Sequence, residues 1–160
     1  MSSSRPAGEP TVDLPDLNVW LALACPAHPH HEAALRYWEW MAVQQVLFCS
    51  ITALGLVRLL CQPRVMGDAV QTTAQAAGVL RRFLAEPGVA LAESEVDAWD
   101  VFHALLVGQP NFSARHCTDA YLAALAIARG WRLVSFDEDF RQFAGLPWLK
   151  LSMPCRKGAP

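Results

Sequence analysis

Thr11-Val12-Asp13-Leu14-Pro15-Asp16-Leu17-Asn18-Val19-Trp20-Leu21-Ala22 carries a complete strand-to-helix changeover. Val12 to Pro15 is a short β-prone apolar run. From Leu17 onward Leu17, Trp20, Leu21 and Ala24 recur at helical spacing. Asp16 stands at the junction. Two further acids occupy similar places: Asp119 opens Asp-Ala-Tyr-Leu-Ala-Ala-Leu, and Asp137 follows Trp-Arg-Leu-Val-Ser-Phe. In an open α/β sheet the crevice lies at the carboxyl ends of parallel strands, so acids from distant segments meet there and share a hard cation such as Mg²⁺.

Outward from this stretch the alternation continues. Pro26 and Pro29 end the first helix, and His31 to Val43 reads as a second. Val46 to Cys49 reads as a buried strand, with Ser50 capping a helix through Ile51, Leu54, Val57, Arg58 and Cys61 that Pro63 stops. Asp68 is the expected cap of an amphipathic segment through Leu84, and Pro87-Gly88 turns into a strand at Val89 to Leu91. Ser94-Glu95-Val96-Asp97 has the form of a capping box for a helix to about Val107, before a loop at Gly108-Gln109-Pro110-Asn111. Thr118 is the expected cap of a helix from Asp119 to Ala128 that Gly130 ends. Strands follow at Arg132 to Phe136 and Trp148 to Leu151. Short strands alternating with helices predict an α/β fold whose parallel sheet is covered on both faces. Residues 1–10 are expected to be a disordered lead, 11–151 one domain, and 152–160 a loose tail.

Composition sets the bounds. A chain of 160 residues with 53% hydrophobic content and mean hydropathy +0.20 buries the core of a single domain. A formal charge of −2 excludes a global basic field, so nucleic-acid contact would rest on a local patch. The five cysteines, Cys25, Cys49, Cys61, Cys117 and Cys155, are odd in number and lack CxxC spacing; they read as reduced residues of a cytosolic protein. The N-terminal residues lack an apolar signal core, and no run approaches the ~18 apolar residues of a membrane span, so neither secretion nor membrane insertion is expected.

Singly, each acid has a structural reading: Asp119 favours a helix N-terminus and Asp137 suits a turn. Together they make a candidate site, because all three follow strands or loops that end on one edge. Arg58 is the lone cation on an apolar helix; it faces either the acids and a phosphate or the solvent. His28, His30 and His31 read as a loop and helix start rather than a metal site, and most of the six tryptophans as core or dimer-interface residues.

Four fragments, in this order and spacing, resemble PIN-domain proteins and more closely the VapC-type toxin ribonucleases of type II toxin–antitoxin pairs. They are Asp16-Leu17-Asn18-Val19-Trp20-Leu21-Ala22; Ser50-Ile51-Thr52 with Arg58-Leu59-Leu60; Thr118-Asp119-Ala120-Tyr121-Leu122-Ala123; and Ser135-Phe136-Asp137-Glu138-Asp139-Phe140. The resemblance spans roughly residues 11–151 and implies an α/β/α sandwich with a central, mostly parallel sheet. It implies that Asp16 and Asp119 hold Mg²⁺, with Mn²⁺ as a substitute, and that Asp137 completes the cluster directly or through water. Asp139 is a weaker candidate; Asn18 would brace the first acid, and Thr118 and Ser135 would hydrogen-bond the carboxylates or be merely turn or cap residues.

The implied activity is endoribonucleolytic cleavage of structured RNA, tRNA or rRNA, that inhibits translation in the cytoplasm. The implied partners are a cognate antitoxin and a second copy in a homodimer, with operator DNA reached only through the antitoxin. One departure stands out. Many members carry a Glu on the helix after the second strand, near Gly55, whereas here no Asp or Glu lies between Glu39 and Asp68. Glu95, Asp97 and Asp100 are substitutes by composition, although their pattern also describes a solvated first turn. The thinner cluster leaves two rivals: a weakened PIN domain that binds RNA or antitoxin without cleavage, and an interaction scaffold whose acids are structural.

Overall fold

Leu14, Leu133 and Val134 are inaccessible to solvent because their strands lie at the middle of a sheet covered on both faces. In the computed structural model, which describes residues 8–153, β1 (Val12–Pro15) pairs in parallel with β2 (Gln45–Phe48) and β4 (Arg132–Ser135). β3 (Val89–Leu91) extends the sheet beyond β2, and β5 (Trp148–Lys150) beyond β4, both parallel. The order β3-β2-β1-β4-β5 places the chain's change of direction between β1 and β4, and a doubly wound sheet opens its crevice at the carboxyl ends of such a pair. Asp16 follows β1 there, and Ser135 ends β4.

Helices α1 (Leu17–Ala24), α2 (His31–Trp40), α3 (Ser50–Leu60), the short α4 (Pro63–Met66) and α5 (Thr73–Ala85) precede β3; α6 (Ala98–Val107) and α7 (Cys117–Arg129) lie between β3 and β4. Leu14 and Leu133 pack with Ala98 of α6 and with Ala120, Leu122 and Leu125 of α7. Val46, Phe48 and Val89 pack with Trp20, Leu56, Leu60, Ala76 and Val79. Ala120 through Ala126 are all buried, as a helix seated across a sheet and under a second helix requires. The Trp20 ring stacks on Phe48 with centroids 3.7 Å apart. Together the layers form an α/β/α sandwich.

Several expected helix starts are corrected. α5 is capped by Thr72, whose hydroxyl accepts from the Gln75 N–H while the Gln75 side chain accepts from the Thr72 N–H. Asp68 instead lies in a single 3₁₀ turn, Gly67–Ala69, entered through Gly67 at φ +54°. Ser50 is the first residue of α3 rather than its cap, and Thr52 Oγ1 accepts the Cys49 N–H. α6 starts at Ala98 without the Ser94-Glu95-Val96-Asp97 box: its acid, Asp97, makes no cap hydrogen bond and lies 3.7 Å from Arg129, while Glu95 accepts from Ser50 and Tyr121. α7 starts at Cys117, so Thr118 lies inside its first turn; Gly130 closes it in the left-handed region. α2 stops at Trp40, since the Val43 N–H is taken by Asp13.

Among the described residues no helix is long and apolar enough to cross a membrane. Cys25, Cys49, Cys61 and Cys117 are free thiols. The expected lead and tail lie largely, and Cys155 wholly, outside the described residues.

Candidate active site

Asp16 is fixed by three contacts. Its N–H donates to the Val134 carbonyl at 2.8 Å, its Oδ1 accepts from Leu17 N–H at 2.6 Å, and its Oδ2 accepts from Ser135 Oγ at 3.0 Å. The residue is 7% exposed. Burial pushes its carboxyl up to about 6, the charges of Asp119 and Asp137 push the same way, and the Ser135 and Leu17 hydrogen bonds only partly oppose them. Asp16 therefore holds its charge against its surroundings, with no cation paired to it among the described residues.

Ser135 serves two acids with one hydroxyl, donating to Asp16 and accepting from the Asp137 N–H at 2.9 Å. Asp137 in turn accepts from the Asp139 N–H at 2.9 Å and caps the 3₁₀ turn Glu138–Gln142. Asp119 lies in the first turn of α7, where the helix N-terminus favours negative charge. Burial nonetheless raises its carboxyl above the ordinary range; His116 opposes that shift, and the charges of Asp137 and Asp139 add to it.

His116 escaped the sequence reading. Its Nδ1 is 3.3 Å from Asp119 Oδ2 and 3.6 Å from Asp139 Oδ2, so one ring ties two acids together. Arg115 Nε donates to its Nε2 at 3.0 Å, which leaves Nδ1 as the nitrogen that donates to Asp119. The signal available in the sequence was a His three residues before a candidate acid, one helical turn away. Arg115 is also the cation beside the cluster, because Arg141 and Lys150 both pair with Glu138.

The other candidates lie apart. Asn18 and Thr118 are exposed, and neither side chain hydrogen-bonds to Asp16, Asp119 or Asp137 among the described residues. Arg58 is exposed beside the groove between α3 and α5, with Leu54, Val57 and Leu80, and makes no ion pair with the acids among the described residues. Glu95 accepts from the Ser50 N–H and hydroxyl and from Tyr121 O–H at 2.9 Å, and its charge is not among those that raise Asp16. Asp97 lies 3.7 Å from Arg129. The Gly55 position is filled by a neighbour: a Cβ there would stand 2.7 Å from Leu17 Cδ2, so a side chain at 55 would require the end of the Leu17 side chain to move.

The histidine run does not form a metal site among the described residues. His31 Nδ1 meets the Ala22 carbonyl at 2.7 Å, and the His30 ring stacks on Phe136 at 4.4 Å.

Among the described residues no three acids, histidines or cysteines converge into a closed ligand set. The donor chemistry still suits a hard divalent cation. Asp16, Asp119 and Asp137 offer oxygen only, burial raises the first two with their mutual repulsion adding to it, and a cation that keeps several waters needs few protein ligands.

The family model described as PIN domain matches residues 14–146. Ribonuclease VapC41 of Mycobacterium tuberculosis is 32% identical over 135 residues, which cover 82% of this chain and 92% of that protein. Ribonuclease VapC38 of the same species is 37% identical over 125 residues, 76% of this chain and 82% of its own length. Among solved structures, VapBC2 from Rickettsia felis bound to a promoter DNA fragment superposes with TM-score 0.61 at 13% identity, covering 88% of this chain and 99% of that one. M. tuberculosis VapC20, a Sarcin-Ricin loop cleaving toxin, superposes with TM-score 0.57 at 22% identity, covering 84% and 98%. At these identities the superpositions speak to the fold.

Proposed function

We propose, from the premise that this chain belongs to the PIN-domain family, that it is a divalent-metal-dependent endoribonuclease and the toxin of a toxin–antitoxin pair. The observation that carries the reading is Asp16: a buried carboxylate at the sheet's switch point, without a paired cation among the described residues, raised to about 6 by burial and further by the charges of Asp119 and Asp137. Mg²⁺, or Mn²⁺ in its place, is the cofactor, held by Asp16, Asp119 and Asp137. Such a cation would offset charge on the scissile phosphate and lower the pKa of the attacking water.

The chain's own part is placement. Leu17 N–H and Ser135 Oγ each hold one oxygen of Asp16, so both keep lone pairs turned toward the crevice. Ser135 also fixes the backbone of Asp137. His116 holds Asp119 and Asp139 at a common nitrogen, and Arg115 offers a guanidinium to the RNA backbone at the rim.

The substrate is structured RNA, tRNA or rRNA, whose cleavage in the cytoplasm inhibits translation, and the inhibitor is a cognate antitoxin. Relatives named as ribonucleases and a neighbour solved as a VapBC complex support these assignments. A homodimer is favoured by an exposed apolar strip at Val96, Trp99 and Val107, on and just before α6. A second reading, RNA or antitoxin binding without turnover, is favoured by the closed position at Gly55.

The test is incubation of antitoxin-free protein with total bacterial RNA, with and without Mg²⁺ or Mn²⁺, and mapping of new 5′ ends. Discrete cuts that need metal and vanish in Asp16→Asn and Asp119→Asn are expected. Retention of RNA without cuts would transfer support to the binding reading.

A further inference from the structure

Beside His116, the loop after α6 and the 3₁₀ turn after β4 line an open pocket of about 370 Å³ that includes Gln109, Asn111, Phe112, Ser113, His116 and Gln142. Its chemistry differs from that of the acid cluster it adjoins. The lining holds no carboxylate, lysine or arginine, so neither a metal ion nor a phosphate finds a counter-charge in it. It offers three primary amides, each both donor and acceptor, one hydroxyl, the Phe112 ring and the His116 imidazole, whose nitrogens are engaged by Arg115 and Asp119.

The parts are held in place. Phe112 packs against Phe143 at 5.9 Å and His116 at 6.0 Å between ring centroids, and its N–H donates to the Gln109 carbonyl at 2.9 Å. Gln142 Nε2 donates to the Asp139 carbonyl at 2.8 Å, which ties the pocket wall to the acidic turn and leaves Gln142 Oε1 as an acceptor. Gln109 Nε2 reaches the Gln142 carbonyl at 3.5 Å, a long contact that a better partner would displace.

We infer that this pocket receives one unpaired nucleobase of the RNA, adjacent to the phosphate that is cut; the inference rests on the ribonuclease reading above. A neutral heteroaromatic ring with donors and acceptors on its edge is the ligand class that an uncharged pocket of amides beside an aromatic face selects. Sequence-specific RNA recognition works this way, on splayed bases that stack on rings and pair by their edges. The volume lies within the roughly 300–1,000 Å³ of small-ligand pockets, and the carbonyl of Asp139, one of the acids His116 links, accepts from Gln142 of the pocket wall. A base seated here puts its own or the next phosphate at the crevice. The pocket then sets which base flanks the cut.

The experiment is cleavage of total bacterial RNA and of an RNA hairpin library with a randomised loop in Mn²⁺, with every cut mapped by sequencing, for the wild type and for Asn111→Ala, Gln109→Ala and Phe112→Leu. Unfolding midpoints confirm that each variant is folded. The wild type should prefer one base at one position beside the cut. The two amide variants should flatten that preference, and Phe112→Leu should raise KM about tenfold, more than it lowers kcat, because a stacked base loses its ring partner. Cuts with the same base preference and KM in all three variants would sink the pocket while leaving the ribonuclease reading intact. Absence of any cut by the wild type would sink that reading, and the pocket with it.

Discussion

Asp13 and Asp16 sit three residues apart on β1 and its end, both buried, yet one is neutralised and the other is not. Asp13 takes Arg132 Nε at 2.8 Å and Nη2 at 3.0 Å, Tyr37 O–H at 2.8 Å and Val43 N–H at 3.2 Å. Its hydrogen bond in turn holds Arg132 above its ordinary range. At the far end of the strand Asp16 has two neutral donors and two acidic neighbours. A satisfied buried charge pins the sheet to the α2–β2 connection; an unsatisfied one is a binding site in waiting. The same residue type in the same strand thus separates architecture from chemistry by its partners alone.

If that division holds, the two ends respond oppositely to loss of charge. Arg132→Met leaves the Asp13 carboxylate buried without its cation and should cost about 3–5 kcal/mol of stability, read as a lower urea midpoint. Should that variant fail to fold, Tyr37→Phe removes one donor and should cost about 1–3 kcal/mol. Unchanged midpoints in both would break the comparison at its structural end. Asp16→Asn should do the reverse and raise the stability of the metal-free protein by about 1–3 kcal/mol at pH 7. Its folded carboxyl titrates near 6 against 3.8 in the ordinary state, so the folded chain binds more protons between those values. Wild-type stability in EDTA therefore falls as pH rises from about 4 to 6 and levels off above. The Asn variant should show a shallower slope, the remainder coming from groups such as Asp119 that burial also raises, and a variant less stable at every pH would refute the account.

The sequence disclosed this division unevenly. All five strands announced themselves as short apolar runs between Gly, Pro and polar breaks, and the switch point follows from their order. Caps were less legible, since a cap depends on whether its side chain has a better offer elsewhere. Asp97, the acid of the expected box, lies against Arg129 of α7, while its neighbour Glu95 bonds Ser50, 45 residues back in the chain. Asp13 escaped notice for the same reason, its partner lying 119 residues away. Helical spacing also leaves open which flank of a helix meets the sheet edge, and so Arg58 was left open between the acids and the solvent, where it lies, and Asn18 was expected to brace Asp16. His116 was missed because its importance comes from two acids of different segments meeting at one nitrogen.

The smallest expected effect sharpens the contrast most. A divalent cation that binds only the folded chain raises its stability by mass action, about 1.4 kcal/mol at ten times its dissociation constant. Mn²⁺ should therefore raise the wild-type midpoint, and Tyr37→Phe should show the same increment from a lower starting point, because its lesion lies at the opposite end of β1. Asp16→Asn should show little or none, having already gained from charge removal what the cation would supply. His116→Ala should shrink the increment, and His116→Asn, whose amide restores a donor where Nδ1 stood, should recover most of it. An equal Mn²⁺ increment in Asp16→Asn would place the cation elsewhere and dissolve the distinction between the two aspartates.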